Sequence, residues 1–299
     1  MVMINAKLRG PQDQIARSII KMVLAAFSFS VMAAFVKYAC TTLPPIEVVF
    51  FRSLFGTAAI AVLIAKERGS WIGNNPMILE LRGLFGFGAV SLFFYTISKL
   101  DLGTAVMLNF TGPFFVVILA HVLLKEKTAP RLLAAILLSF VGIYLLAAPQ
   151  FEAKTIPILL GILSGVFAAI AAILIRLSKE DESPDTIIFY FTAISTIASF
   201  PLLQLGFEWP TVREWGGLLG VTTGAFFGQV FMTRSIQTAP VSIVSAFAYL
   251  TPVFAAFFGF IFWKEFLRPQ AILGSVIIMS CGVAIYLLRE KHAFVPLEE

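Results

Sequence analysis

Two apolar stretches hold the polar groups best placed to do chemistry. Residues 108–126, LNFTGPFFVVILAHVLLKE, put Asn109 and Thr111 just ahead of Pro113 and finish on Lys125 and Glu126. Residues 247–265, FAYLTPVFAAFFGFIFWKE, put Tyr249 and Thr251 just ahead of Pro252 and finish on Lys264 and Glu265. A proline within a helix has no N–H to donate, and its ring crowds the carbonyl four residues back. The carbonyls of Asn109 and Ala248 are thereby set free. In hydrocarbon each such group costs roughly 2 to 7 kcal/mol until a partner meets it. Water or a solute in a cavity is one partner, and Thr111 bonding back within its own helix is the other. The chemistry this predicts is binding. No P-loop, HExxH, CxxC pair or Ser/His/Asp set lies in the apolar stretches, so no catalytic residue, metal or cofactor is assigned.

Other polar residues inside apolar stretches are candidates for the same site. Ser91 and Tyr95 follow Gly83, Gly86 and Gly88; Gln229 follows a ridge of Gly216, Gly220, Gly224 and Gly228; Ser245 precedes the second proline. Tyr95 fits either an interfacial aromatic belt or a hydroxyl turned into a cavity. The glycine ridge lets a neighbouring helix approach closely or slide. Four cations form a second group, read as gating or charge-bearing. Lys37 and Arg176 stand near the ends of their stretches, where long side chains reach headgroups or act on a solute. Arg52 lies five residues past Glu47, out of step with the i, i+4 spacing of an intrahelical pair. A charge at that depth faces protein or a water-filled cavity, which leaves a partner in another helix and a gate both open. Arg234 closes its stretch.

The elements that carry these residues follow from composition. With 59% hydrophobic residues, 13% charged residues and a mean hydropathy of +0.92, a soluble domain of this length is excluded. Ten apolar runs recur, at about 18–39, 46–65, 79–99, 103–124, 130–148, 157–177, 186–206, 215–235, 241–263 and 269–288. Each has the roughly 20 residues that cross a bilayer as a helix, and none alternates as a barrel strand would. The fold class is therefore an all-α integral membrane protein. Pro252 lies 139 positions after Pro113, and Lys264–Glu265 lie 139 after Lys125–Glu126; Pro184 repeats Pro45, Pro269 repeats Pro130 and Arg176 repeats Lys37 at the same spacing. Five crossings separate equivalent positions, and an odd number reverses the chain. Ten transmembrane helices thus form two inverted five-helix repeats about an axis in the membrane plane, with Tyr249 aligned on Phe110 and Thr251 on Gly112.

The expected organisation is a cytoplasmic tail at 1–17, a first repeat at 18–148, a linker at 149–156, a second repeat at 157–288 and a tail at 289–299. Placing both termini in the cytoplasm puts 15 of the 22 Lys and Arg residues on that side, as the positive-inside rule asks. That bias accounts for the net charge of +5, and no nucleic-acid partner is read from it. The seventh run, 186–206, is read as peripheral.

The segments FFRSLF (Phe50–Phe55) and ELRGLFGFG (Glu80–Gly88), with a mid-run proline and a terminal Lys-Glu in the fourth and ninth runs, resemble the EamA-type members of the drug/metabolite transporter superfamily. The resemblance covers nearly the whole chain and looks most like bacterial carriers of the S-adenosylmethionine type. It implies a central cavity lined mainly by runs 1, 3, 4, 6, 8 and 9, and a bacterial inner-membrane location. The expected function is a secondary, non-ATP carrier of a small polar metabolite by alternating access, an amino acid or an S-adenosylmethionine-like compound, in a monomer or homodimer embedded in lipid. The acidic residues fall at run ends or in loops, which disfavours a proton-coupled multidrug pump needing a mid-membrane carboxylate. That pump and a lipid-modifying membrane enzyme remain the alternatives.

Overall fold

The computed structural model describes residues 11–67, 70–123, 130–147, 151–178, 182–238 and 247–293. They form helices α1 (Pro11–Ala39), α2 (Pro45–Glu67), α3 (Pro76–Lys99), α4 (Leu102–Asn109), α5 (Gly112–Leu123), α6 (Pro130–Ala147), α7 (Phe151–Ser178), α8 (Pro184–Ser199), α9 (Val212–Thr238), α10 (Leu250–Trp263) and α11 (Pro269–Ala293). A short 3-10 turn covers Pro201–Leu205, and no strand occurs among the described residues. Proline opens α2, α3, α6, α8 and α11, since at the first helical position its missing N–H had no partner to lose. The Asn75 side chain accepts from Ile78 N, and Ser183 Oγ accepts from Thr186 N, capping α3 and α8.

Among the described residues five helical stretches are long and apolar enough to cross a membrane: Ile15–Ala39, Pro45–Lys66, Pro76–Lys99, Lys154–Ile175 and Pro184–Gln204. Several hydroxyls are spent inside the helices. Thr57, Thr96 and Thr192 in these stretches, and Thr222 in α9, each donate to the carbonyl four residues back, which removes the cost of a bare hydroxyl in hydrocarbon. The segment read as a linker is helical from Phe151 on and leaves helical geometry at Lys154 (φ −137°, ψ 37°), close before Pro157, which cannot donate back across the bend.

The two repeats interlock. α1 packs on α9 as its counterpart α7 packs on α3, and α1 meets α10 as α7 meets α5. Positions 139 apart also meet each other directly. Thr57 and Thr196 hydroxyls are 3.5 Å apart, the Phe110 and Tyr249 rings are 5.6 Å apart, and Arg52 lies 5.6 Å from the ring centroid of Phe191. Only residues beside a twofold axis touch their own equivalents. The axis of inverted repeats runs in the midplane of the bilayer, so these three pairs sit near mid-depth.

Contacts also define the two ends of the bundle. Glu208 N donates to Glu47 Oε2 beside the end of α1, the Lys37 end. Ser235 Oγ donates to Ser18 O, and Thr186 Oγ1 donates to Ser70 O, at the opposite, Lys66 end.

Candidate functional site

The fourth run breaks where its proline requires. α4 stops at Asn109, Phe110 and Thr111 form a turn, and α5 restarts at Gly112. Thr111 is fully buried and its hydroxyl donates 2.7 Å to Leu108 O, so this side chain is engaged by the break itself. Asn109 Nδ2 donates 3.1 Å to Ser164 Oγ on α7, and Ser164 donates on to Gly161 O. Asn109 therefore staples the broken helix to the first helix of the other repeat. In the ninth run the turn falls at Tyr249, just before α10. Tyr249 is 2% exposed, wedged between Phe110 and α11, where a Cβ on Gly282 would come within 1.9 Å of its hydroxyl. Thr251 and Pro252 are buried beside it. The structure thus brings Asn109, Thr111, Tyr249, Thr251 and Pro252 together as two touching helix breaks. Ser245 and the side chains of Pro113 and Arg176 lie outside the described residues.

A second cluster closes the Lys37 end. Lys37 pairs with Glu265 and also donates 2.9 Å to Leu100 O, with its ammonium 5.6 Å from the Trp263 ring centroid. The other Glu265 oxygen accepts 2.8 Å from Leu102 N, the first residue of α4. A carboxylate there meets an unsatisfied N–H at the positive end of the helix dipole. Both side chains of the pair are nearly dry, at 13% and 14% exposure. The turn that aims Glu265 back depends on Lys264, which takes a left-handed conformation (φ 57°) as the C-cap of α10. One carboxylate therefore ties α1, the α3–α4 turn and α10 into a single junction.

The third cluster is a cavity of about 480 Å³ between α2, α8 and α9. Arg52, Phe191, Thr192, Thr222 and Gln229 line it, with Asp185 and Arg234 nearer the Lys66 end and Ala59, Ile60, Leu63, Ile188 and Val230 as apolar wall. Of the helices expected to line a cavity, the eighth run, α9, lines this one. The seventh run, read as peripheral, forms one wall as α8. Large side chains pack elsewhere between the helices: Phe94, Leu108, Phe114 and Tyr249 are all under 3% exposed. The glycine ridge draws α9 onto α1 and leaves its other face to the cavity. A Cβ on Gly224 would come within 2.9 Å of Met32 N and Ser28 O, while Gly216 faces open space.

Ser91 and Tyr95 fall apart from the cavity. Ser91 Oγ is buried without a hydrogen-bond partner on α3, and Tyr95 has the Lys99 ammonium 6.0 Å from its ring centroid at the Lys37 end. Three contributors were not among the expected site residues, Ser164, Phe191 and Arg82, and Glu265 was read only as the end of a repeated Lys-Glu. Arg82 is 8% exposed, with its guanidinium 4.1 Å from the Phe191 ring centroid. Its signal was Gly86 one turn later, where a Cβ would fall 2.6 Å from Arg82 Nη1.

The sequence and the fold match known proteins. Residues 16–148 and 155–288 each match the EamA-like transporter family. The pseudopaline exporter CntI of Pseudomonas aeruginosa is 35% identical over 275 residues, 91% of this chain and 97% of that protein. The S-adenosylmethionine uptake transporter of Rickettsia prowazekii is 23% identical over 270 residues, covering 90% and 92%. Human solute carrier family 35 member G1 is 27% identical over 285 residues, covering 87% and 76%. One crystal structure superposes with a TM-score of 0.64 over 94% of this chain and 99% of that one; at 16% identity it shares the fold alone.

Proposed function

The chain belongs to the EamA-like transporter family, and from that premise we propose that it is a secondary carrier moving a small polar metabolite by alternating access. The observation that carries this reading is the opposition of the two ends. The Lys37–Glu265 junction ties α1, α4 and α10 together at one end, while the cavity runs from Asp185 and Arg234 at the other end inward to Arg52 near mid-depth. By the Lys and Arg bias the sealed end faces outward and the cavity faces the cytoplasm. The repeat supplies a second lock. Arg176 and Glu126 are the equivalents of Lys37 and Glu265, and their pairing at the cytoplasmic end would close the cavity when the outer junction opens.

The relatives leave the direction open, since one is named an exporter and another an uptake transporter. Carboxylates support a carrier over a proton-coupled pump: among the described residues Glu47 and Asp185 stand in first turns, Asp101 precedes α4, and Glu265 follows α10. A bacterial inner membrane is the proposed location, as for the bacterial relatives.

The test is reconstitution in liposomes loaded with a pooled mixture of amino acids, S-adenosylmethionine and related metabolites, following exchange of labelled compounds. Exchange of one compound class is expected. Asn109→Ala frees the α4–α5 break from α7 and is expected to slow exchange at least tenfold while the protein stays folded. Folded protein that exchanges nothing, or exchange untouched by Asn109→Ala, overturns the reading of these breaks as the moving site.

A further inference from the structure

Arg52 is a charge at mid-depth with no counter-charge. It is 8% exposed, it touches its own repeat equivalent Phe191, and it lines the cavity. Its Nε is buried without a hydrogen-bond partner. Arg82 lies over the same Phe191 ring, and its Nε and Nη1 are also buried and unpartnered. Among the described residues neither guanidinium joins an ion pair; the Lys37–Glu265 pair lies at the far end of the bundle. The aromatic faces of Phe94 and Phe191, 5.9 and 5.6 Å from its guanidinium, give Arg52 some cation–π relief. They do not replace the water or counter-charge that a guanidinium at the bilayer centre needs.

The remaining lining is built to complete a ligand. Gln229 turns an amide onto the cavity, and the Thr192 and Thr222 hydroxyls have their protons committed to α8 and α9 carbonyls, leaving their lone pairs to accept. Asp185 is the one acidic residue of the wall. It stands six residues before Phe191, about 9 Å along the helix axis, at the mouth rather than at the arginine.

We propose that Arg52, backed by Arg82, is an anion subsite, and that the carried metabolite bears an oxyanion, a carboxylate first, which supplies the missing counter-charge at mid-membrane. This deepens the carrier reading and rests on it. A guanidinium fork matches a carboxylate with two parallel hydrogen bonds. The apolar wall of Ala59, Ile60 and Leu63 takes the carbon skeleton, and Gln229 and the threonine oxygens take its remaining polar groups, an amine among them. The empty carrier keeps an uncompensated charge, and the loaded one is neutralised, so binding itself makes the midplane crossing less costly.

The full chain in detergent is unfolded thermally with acetate, glutamate, citrate, phosphate, chloride and the neutral amide glutamine. The midpoint is expected to rise with glutamate or citrate and not with glutamine. Arg52→Gln is expected to raise the half-saturating concentration 10- to 1,000-fold and, without ligand, to melt at or above the wild type, because the bare charge has gone. Arg52→Lys keeps the charge without the fork and should fall between. A response to phosphate alone keeps the subsite and makes the cargo a phosphate ester. The proposal is overturned if no anion shifts the midpoint, if glutamine serves as well, if Arg52→Gln responds like the wild type, or if it melts well below the wild type without ligand, which is the mark of a purely structural arginine. The same variant in proteoliposomes separates the two readings. Exchange of a neutral compound that survives Arg52→Gln sinks the anion subsite and keeps the carrier, whereas anion-dependent stabilisation without exchange of anything keeps the subsite and sinks the carrier.

Discussion

Lys264 is the residue whose backbone works against its side chain. Its left-handed φ of 57° costs a non-glycine residue roughly 1 to 2 kcal/mol, and glycine occupies this C-cap position at no such cost. The turn gives Glu265 its approach to Lys37 and to Leu102 N, so the strained geometry is what the junction needs. Lys264→Gly keeps that turn and removes the strain. The expected outcome is a protein about 1 kcal/mol more stable, a thermal shift of about 2 °C in a detergent melt, with metabolite exchange unchanged. A lower midpoint would show that the Lys264 side chain itself holds the junction. Residues of this kind were poorly legible in the sequence. Glu265 read as one end of a repeated Lys-Glu, since nothing local tells that its partner stands 228 residues away in α1. Arg52 read as either gate or buried partner, and what decides is whether a carboxylate faces it across α8 and α9, a question of packing.

The helices themselves were largely legible, because their causes are local. Apolar length gave the spans, proline gave their starts, and Pro113 gave the break at Asn109. The partners of those helices were less so. The glycine ridge of α9 announced a close contact without naming α1, and the seventh run looked peripheral because its cavity-facing Phe191 and Thr192 differ little in hydropathy from lipid-facing neighbours. The ridge makes its own prediction. A methyl group at Gly224 would strike backbone atoms Met32 N and Ser28 O at 2.9 Å, and backbone cannot rotate away as a side chain can. Gly224→Ala should cost about 1 to 3 kcal/mol, the range for overpacking a close contact, and slow exchange by spreading α1 from α9. Gly216→Ala, with nothing within 4 Å of the added methyl, is the control and should gain a few tenths of a kcal/mol to about 1 kcal/mol from helix propensity. Equal effects at the two positions would remove the ridge from the account of how α1 and α9 move.

At the scale of the whole molecule the inverted repeat gives the observed Lys37–Glu265 contact an image that the proposed carrier cycle would use as a second lock. Positions 139 apart touch near the axis, at Thr57 with Thr196 and at Phe110 with Tyr249, so the halves are exchanged by a half-turn and any contact in one state has an image available in the other. Lys37–Glu265 is the contact formed here. Its image is Arg176–Glu126, of which Glu126 lies outside the described residues. If the image formed while the first pair persisted, the carrier would be shut at both ends, and if neither formed it would leak, so transport requires the two to alternate. The native thiols, Cys40 and Cys281, are both free and are first replaced by alanine. Lys37→Cys with Glu265→Cys, and separately Glu126→Cys with Arg176→Cys, are then joined by a short bifunctional thiol reagent cleavable by reductant. Each cross-link should stop metabolite exchange, and reduction should restore it. In a chain carrying all four cysteines, intact mass should show one bridge or the other in each molecule. Molecules bearing both bridges in good yield, or exchange that continues with either end bridged, would mean that the halves do not rock between states related by the half-turn. The anion subsite at Arg52 would then have to be loaded and emptied from one side only.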